Sequence, residues 1–324
     1  MQTTKNLSQP AFVLAVLLAF LTAGLQAQQL DQRFEVAPGG LLTVRAEGGS
    51  IEVKSGDSAR VEVEIIPRDV EKFQKRYKVE FNQSGNNVSV VVESVNKASN
   101  WFNRGKGYKI VASVPFEFDT DLKTSGGGVQ VSDLKGEVKA ATSGGSLQLG
   151  KIEGTIWGRT SGGSIEVDQC TGETSVHTSG GGIVIGEVEG VVDAVTSGGP
   201  IRIKYGGGDI VAKTSGGGIE IEEVKGSLDA STSGGSVEAT FTNQPAGDCR
   251  LSTSGGNVTV WIGSNLGFEV DAKTSGGRVR TDLPISVRGT LGKDRVEGQL
   301  NQGGPNLVLR TSGGNISINA ASER

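Results

Sequence analysis

The stretch Thr124-Ser125-Gly126-Gly127-Gly128-Val129-Gln130-Val131 contains the motif that dominates this sequence. Its first four residues, Thr-Ser-Gly-Gly, recur with their threonines at positions 124, 142, 160, 178, 196, 214 and 232, a constant spacing of 18 residues. Further copies begin at positions 253, 274 and 311. A short fixed period indicates a stack of equivalent coils, because one such unit cannot bury its apolar face alone.

Within each 18-residue unit, apolar and polar residues alternate in two places. With the motif threonine as position 1, positions 6, 8 and 15 are aliphatic except for Thr174, and position 17 is small or aliphatic. Alternation with a period of two is typical of strands. Glycines at positions 3, 4 and 13 mark two corners, where backbones crowd or φ becomes positive. We therefore predict an all-β fold, a single-domain parallel β-solenoid (β-helix) with two short strands per coil and irregular caps at both ends.

The threonines are expected to form an inward column, because position 1 has the same parity as positions 15 and 17. Their hydroxyls would bond to one another or to corner amides, since a buried hydroxyl needs a partner. Roughly ten coils at the strand spacing of about 4.8 Å would make a rod on the order of 45–50 Å long. A propeller fits less well, because its blades need about 40 residues per repeat.

The sequence divides into five predicted segments. They are a signal peptide (1–27), an N-terminal β-rich cap with the first irregular coils (28–123), the regular solenoid (124–277), a C-terminal coil and cap (278–319) and a tail (320–324). The only helix is expected at Asp69 to Tyr77. Lys5, the apolar run from Ala11 to Leu25 and the small residue Ala27 form the pattern of a cleaved secretory signal. A retained anchor would need about 20 apolar residues. We therefore expect export to the periplasm, the cell surface or the extracellular medium.

The net charge limits the kinds of partner that the protein can have, and the positions of the two cysteines decide whether they can form a disulfide. The formal net charge is −4 and becomes −5 if Lys5 is removed with the signal peptide, which argues against nucleic acid or an anionic membrane surface as a partner. No membrane span is expected in the mature chain. Cys170 is predicted to be buried and unbonded to Cys249, because four coils span about 19 Å and a disulfide needs Cα atoms within about 7 Å. Cys249 is expected to be the more exposed thiol.

The residues do not predict a catalytic site, a metal or a cofactor. The single histidine, His177, is predicted on the outer face without a nucleophile beside it. The Gly-rich corners lack the Gly-Lys-Ser/Thr of a phosphate loop. Glu220 and Glu238 are the one enzymatic alternative, because adjacent coils would place them about 4.8 Å apart, which could suit a retaining glycosidase. A solvated pair softened by Arg202 is the simpler interpretation.

Exposed aromatic residues are the better candidates for binding. Trp101 and Phe102 lie in a polar loop, Trp157 takes outward position 16, and Trp261 takes outward position 9. Flat aromatic faces bind sugar rings and protein surfaces. We name Trp101, Phe102 and Trp157 as candidate contacts with a ligand or partner.

Several of these motifs together resemble a known family. They are the Thr-Ser-Gly-Gly-x-Ile-x-Val unit, Val114-Pro115 ahead of the first regular coil, Leu283-Pro284-Ile285, and the closing run from Thr311 to Ile318. The chain resembles, over about residues 30–319, the bacterial "putative adhesin" family of envelope β-solenoid domains, a domain of unknown function. The resemblance implies a bacterial, exported or surface-associated β-solenoid, and it transfers no catalytic residue.

We therefore expect an exported, non-enzymatic β-solenoid of the bacterial cell envelope with an adhesion, scaffold or protein-binding role. Its partner would be an envelope or surface protein or a glycan. The alternative is a carbohydrate-active β-helix enzyme that uses Glu220 and Glu238. A third interpretation is that open coil edges accept a strand from a partner.

Overall fold

The computed structural model describes residues 30–95 and 107–321. In these ranges it has thirty strands and one short helix, and the strands form two 15-stranded sheets. The predicted signal peptide lies outside the described residues. Each coil of the chain contributes one strand to each sheet, and the two sheets enclose the core.

The first sheet contains, in spatial order, β1 (Asp31–Glu35), β4 (Arg60–Pro67), β7 (Tyr108–Pro115), β3 (Ser50–Gly56), β9 (Val129–Val131), β12 (Leu147–Glu153), β14 (Ile165–Cys170), β16 (Ile183–Val188), β18 (Ile201–Gly206), β20 (Ile219–Ile221), β22 (Val237–Phe241), β24 (Val258–Ile262), β30 (Ile316–Ala320) and β26 (Val279–Thr281), with β10 (Leu134–Lys135) beside β12.

The second sheet contains β27 (Ile285–Leu291), β28 (Arg295–Leu300), β25 (Phe268–Thr274), β29 (Asn306–Thr311), β23 (Cys249–Thr253), β21 (Leu228–Thr232), β19 (Ile210–Lys213), β17 (Val192–Val195), β15 (Thr174–His177), β13 (Ile156–Arg159), β11 (Val138–Ala141), β8 (Phe118–Thr124), β2 (Gly40–Ala46), β6 (Asn87–Ser94) and β5 (Tyr77–Ser84). Helix α1 (Val70–Arg76) connects β4 to β5.

Consecutive regular coils pair in parallel with a register of 18 residues, so the predicted fold class is confirmed. Ile165 lies opposite Ile183, and Ile156 lies opposite Thr174. The inward residues of both strands are buried throughout the regular coils. Equivalent side chains therefore touch across each coil boundary, and each buried aliphatic residue stabilises the stack by roughly 1.5–3 kcal/mol.

The motif threonines form the predicted inward column, and each binds the corner of a neighbouring coil. Thr160 Oγ1 donates to the carbonyl oxygen of Gly145 at 2.8 Å, and Thr178 Oγ1 donates to that of Gly163 at 2.8 Å. The oxygen of Thr160 also accepts a longer bond from the Gly163 amide at 3.3 Å. The expected bonds between the threonine hydroxyls and the corner peptide groups are thus present. Each hydroxyl donates to a corner carbonyl and not to another threonine, so the alternative of bonds between the hydroxyls is wrong.

The fourth motif residue must be glycine because neighbouring coils are close together at that corner. A Cβ atom on Gly163 would overlap the carbonyl oxygen of Gly145 and lie 2.6 Å from Ser146 N. A Cβ atom on Gly162 would have its nearest contact at 3.5 Å, an ordinary van der Waals distance. Neither glycine has a φ in the left-handed region. Crowding, and not φ, therefore requires glycine at the fourth position.

The coils at the N-terminal end are not stacked in the order of the chain. Strands β2 and β3 form a coil that lies between the coil of β6 and β7 and the coil of β8 and β9. The corner bonds follow this order, because Thr124 Oγ1 donates to Gly49 O at 2.8 Å. The earliest complete coil in the chain is therefore an internal coil of the rod.

The C-terminal end shows the same rearrangement. Strand β29 pairs with both β23 and β25, and β30 pairs with both β24 and β26. The last Thr-Ser-Gly-Gly copy thus lies inside the stack: Thr311 Oγ1 donates to Gly256 O, and Thr274 Oγ1 donates to Gly314 O, each at 2.8 Å. The final coil in the sequence is inserted between two earlier ones.

Each inserted coil carries an arginine that bonds to the next coil in the same way. The guanidinium of Arg45 on β2 donates to the carbonyl and the carboxylate of Asp121 on β8. Arg310 on β29 does the same to Asp271 on β25. Charge-assisted bonds are stronger than neutral ones. The two rearranged junctions are therefore fixed by equivalent contacts on the second sheet.

Antiparallel strands close both ends of the rod. Strand β5 pairs with β6, and β4 pairs with β7, at the N-terminal end, while β28 and β27 extend the second sheet at the other end. The short edge strand β26 is met by the turn after β27, because Val279 N donates to Lys293 O at 3.0 Å. Such closure reduces the pairing of exposed edges with other chains.

The predicted helix and the predicted burial of Cys170 are confirmed, whereas the expectation for Cys249 is wrong. Asp69 caps helix α1 by accepting from Lys72 N at 3.0 Å. Cys170 and Cys249 are both buried free thiols. Cys249 is buried because it lies opposite Leu228 and Leu307, in the inward column of the second sheet. Burial raises the pKa of Cys249 to about 12 and also raises that of Cys170.

Candidate partner-binding surface

The outward residues of the second sheet place Trp157 on a flat, ordered surface. Trp157 on β13 lies in register with Lys139 on β11 and Ser175 on β15, as predicted. Its strand alternates between buried Ile156 and Gly158 and exposed positions, and Trp157 is 42% exposed. Since the strand backbone is paired on both sides, the indole is held by a rigid support. The surface formed by Lys139, Trp157, Arg159 and Ser175 is called the Trp157 surface below.

Two cations flank the indole in the Trp157 surface. Lys139 Nζ bonds to Glu137 Oε2 at 2.8 Å, and this bond raises the pKa of Lys139, so its ammonium stays charged. Arg159 lies two residues after Trp157 on the same outward face and is exposed. The indole and the exposed Arg159 can contact a sugar ring and bind acidic or hydroxyl groups beside it, while Glu137 balances the charge of Lys139. Sequence reasoning missed Arg159, although its outward position 18 could have indicated it.

His177 continues the outward face next to this surface but has no catalytic arrangement. His177 lies in register with Arg159, and its Nε2 is 2.9 Å from Asp193 Oδ2. Ser175 is two residues earlier on the same face, and in the described part of the chain no hydrogen bond joins it to His177. The nucleophile and base are thus not coupled as a serine hydrolase requires.

Glu220 and Glu238 lie opposite each other on adjacent coils, as the repeat predicted. Glu220 Oε2 accepts from Arg202 Nε at 3.2 Å, and both side chains of this ion pair are more than half exposed. Glu220 thus lies at a solvent-exposed position and bonds to a guanidinium, so the pair has the contacts of a solvated surface network.

Other charges on the outward face of the first sheet are also mutually satisfied. Lys204 Nζ lies 2.8 Å from Glu187 Oε1, and this bond lowers the pKa of Glu187 and raises that of Lys204. The ammonium of Lys225 lies 4.9 Å from the ring centre of Tyr205. Exposed pairs of this kind contribute little stability. They leave the Trp157 surface as the better place for a partner.

The other aromatic candidates differ in exposure and in what can be described. Trp261 lies on the outward side of β24 and is half-buried. Trp101 and Phe102 lie outside the described residues. Of the three candidate contact residues, only Trp157 can therefore be placed in the fold.

Two further observations apply to residues 30–95 and 107–321. No group of three or more His, Cys, Asp and Glu side chains there is placed to hold a metal ion. Within the same ranges, α1 is too short to cross a membrane, and no other helix is present.

Comparison with protein families finds a match in the C-terminal third of the chain. Residues 208–319 match the family model described as Toastrack DUF4097. The resemblance to a domain of unknown function is therefore confirmed, and the matched Toastrack region includes the inserted coil of β29 and β30. A comparison with curated proteins finds no match.

Solved structures with some similarity to this chain include three bacterial proteins. A "putative adhesin" from Parabacteroides merdae ATCC 43184 is 10% identical, with a TM-score of 0.38 and coverage of 90% of this chain and 95% of that chain. A "putative lipid binding protein" from Parabacteroides distasonis ATCC 8503 is 15% identical, with a TM-score of 0.34 and coverage of 90% and 96%. A "putative cell adhesion protein" from Clostridium sporogenes ATCC 15579 is 11% identical, with a TM-score of 0.21 and coverage of 90% and 99%. TM-scores this low carry no argument about function.

Proposed function

We propose that this protein is a non-enzymatic binding module exported to the bacterial cell envelope, and that it contacts an envelope glycan or surface protein through the Trp157 surface. The observation that carries the proposal is the exposed indole of Trp157 on a paired strand, with Lys139 on the adjacent strand and Arg159 two residues further along its own strand. Tryptophan and arginine are the residues that most often dominate binding energy. A solenoid supplies such a surface without any movement of the backbone, which keeps the ordering cost of binding low.

The loop with Trp101 and Phe102 stays in the proposal as a second contact. Its polar composition with two adjacent aromatic residues is typical of recognition loops, which need both apolar area and hydrogen bonds. Export is proposed from the signal-like residues 1–27, and an adhesion or scaffold role follows from binding in the envelope.

The test compares the mature chain with Trp157→Ala and with a control, Val191→Ala. Val191 is exposed to a similar extent, 44%, and immediately precedes β17 of the same sheet. Binding of the immobilised chain to purified envelope polysaccharides and to extracted surface proteins would be measured by biolayer interferometry. Loss of a central tryptophan should weaken binding about 30-fold or more, while the control stays within about twofold.

The binding assay distinguishes the two proposed contacts, and a cleavage assay tests the enzyme alternative. The double variant Trp101→Ala/Phe102→Ala should weaken binding if the loop contributes, and should have no effect if Trp157 alone anchors the partner. Equal affinity of Trp157→Ala and the parent chain would refute the Trp157 surface. Cleavage of a polysaccharide that is lost in Glu220→Gln would refute the non-enzymatic proposal.

A further inference from the structure

The N-terminal end of the rod contains a basic cavity, separate from the Trp157 surface. The cavity has a volume of about 210 Å³ and lies where β4 ends, α1 crosses the end of the stack and β7 begins. Arg68, Lys72 and Arg76 line it, together with the rings of Phe73 and Tyr77. The three cations are spaced four residues apart. Lys72 and Arg76 therefore lie on the same side of α1, and Arg68 directly precedes the N-cap residue.

Two of these cations have no acidic partner in the described part of the chain. The carboxylate of Asp69 accepts from Lys72 N at 3.0 Å and lies 2.7 Å from Lys72 Nζ, which lowers the pKa of Asp69. Asp69 and Lys72 thus neutralise each other. The side chains of Arg68 and Arg76 are exposed and form no ion pair there, and residues 96–106 contain no Asp or Glu. The cavity therefore has an uncompensated double positive charge.

This arrangement is unfavourable for the isolated protein. Arg68 and Arg76 line one cavity with like charges that repel each other, and Arg68, before the N-cap, faces the positive end of the helix dipole. Arg68 is held at this place by its backbone, whose N–H donates to Gly107 O at 2.7 Å. An anion in the cavity would relieve both repulsions.

The aromatic side of the cavity packs against the cap of the solenoid. Phe73 is buried and stacks on Tyr77 with ring centres 5.2 Å apart, and the edge of Tyr108 meets both rings at 5.0 Å. Aromatic packing of this kind fixes α1 against the cap of the solenoid. The backbone that carries Arg68 and Arg76 therefore needs little ordering when a ligand binds.

Three exposed aliphatic residues lie next to residues that line the basic cavity. Ile66 and Val70 lie two residues before and two residues after Arg68, and both are exposed. Val95 is 60% exposed, and its N–H donates to Arg76 O at 2.8 Å, which places it beside the last turn of α1. Aliphatic residues next to cations are the combination found at protein surfaces that lie on anionic lipid.

The net charge of the complete chain has the opposite sign from that of the segment around the cavity. Residues 66–109 contain nine Lys and Arg but four Asp and Glu, a net charge of +5, whereas the complete chain has a net charge of −4. The remaining residues of the chain therefore carry a net charge of −9, so this segment of the sequence is basic while the rest is acidic. The expectation that net acidity excludes an anionic membrane surface does not extend to this end, because binding depends on the local field.

From this geometry we propose that the N-terminal end of the rod binds the phosphate headgroups of an anionic phospholipid surface. Arg68 and Arg76 donate to a headgroup phosphate in the cavity, and Ile66, Val70 and Val95 contact the region below the headgroups. The rod would then stand on the membrane, with the Trp157 surface on its lateral face several strands from the attached end. The proposal does not depend on the function assigned to Trp157.

The test is co-sedimentation of the mature chain with phosphatidylcholine vesicles that do or do not contain phosphatidylglycerol, at about 0.1 M salt. The parent chain should partition onto the anionic vesicles only. Arg68→Gln/Arg76→Gln should lower the partition coefficient about 30-fold, the effect of removing two cations next to an anionic surface. The control is Arg278→Gln/Arg280→Gln, which removes the same charge from two exposed arginines at the opposite end of the rod. It should stay within about twofold of the parent.

Three results would overturn the proposal. The first is no binding of the parent chain to anionic vesicles, and the second is an equal loss in both double variants, which would mean that only net charge acts. The third is saturable binding of inorganic phosphate in calorimetry without binding to vesicles, which would make the cavity a site for a free anion. Unchanged melting temperatures of both double variants would exclude unfolding as the cause of any loss.

Discussion

Alanine substitution of two neighbouring glycines tests the stacking of the coils. In Gly163→Ala the new Cβ would overlap the carbonyl oxygen of Gly145, a backbone atom that cannot rotate away. The same carbonyl accepts the bond from Thr160 Oγ1. Forced separation of the coils costs about 1–3 kcal/mol for overpacking and about 1 kcal/mol for the weakened buried bond. We therefore expect Gly163→Ala to lower the free energy of unfolding by about 2–4 kcal/mol.

Gly162→Ala is the matched control for this prediction. Both variants remove the same backbone entropy from the unfolded chain, so the difference between them reports the native structure alone. A Cβ atom added at Gly162 would have ordinary contacts, and neither position needs a positive φ. Gly162→Ala should therefore be neutral or should raise stability by about 0.4–1 kcal/mol.

The assay is urea unfolding followed by circular dichroism and by the fluorescence of Trp157, which lies on the same coil boundary as Gly163. Repeat proteins can lose coils locally, so amide exchange of residues 142–180 should accompany the equilibrium measurement. If the two variants differ by less than about 1 kcal/mol, the coils can separate at this corner without cost, and crowding does not explain the fourth-position glycine.

The remaining predictions concern the inserted coils and the thiols. Removal of residues 306–324 should lower amide protection at Cys249–Thr253 and Phe268–Thr274, because β29 pairs with one side of each strand. Unchanged protection would contradict the inserted order. Arg310→Met should lower the free energy of unfolding by about 1.5–3 kcal/mol, the usual contribution of a hydrogen bond to a charged group, as measured by thermal or urea unfolding. The control Arg250→Met, on the neighbouring strand, should change it by less than about 0.5 kcal/mol. Cys249 should resist iodoacetamide at neutral pH until the chain unfolds, and mass spectrometry of labelled peptides would detect earlier reaction. Because the native pKa of Cys249 is above that of an unfolded thiol, stability should fall as pH rises from about 9 to about 12, and Cys249→Ala should reduce this dependence.

The sequence predicted the two strands of each coil but not the burial of every residue in them. Alternation around Ile165 and Ile156 predicted both strands of a unit, and position 11 predicted the burial of Cys170. The burial of Cys249 was missed because the loop at 243–247 breaks the 18-residue count just before it. Resuming the alternation at Cys249, Leu251 and Thr253 would have placed it correctly.

The candidate site was predictable in part, for a related reason. Register alone placed Trp157 between Lys139 and Ser175, and placed Glu220 opposite Glu238. Register does not report side-chain contacts, so the ion pair of Glu220 with Arg202 and the contact of His177 with Asp193 came only from the structure. The basic cavity at α1 was missed because it combines residues from the end of one strand, a helix and the start of another strand.

The period, the inward columns and the glycine corners were determined by the sequence itself, because each depends on residues within one 18-residue unit or its copy. The spatial order of the coils was decided only by the tertiary structure. Strands β24 (Val258–Ile262) and β30 (Ile316–Ala320) both begin with alternating buried aliphatic residues, so the local pattern does not decide which of them pairs with β22. The choice depends on long-range pairing, on the contacts of Arg45 and Arg310, and on the antiparallel caps, none of which leaves a periodic signal in the chain.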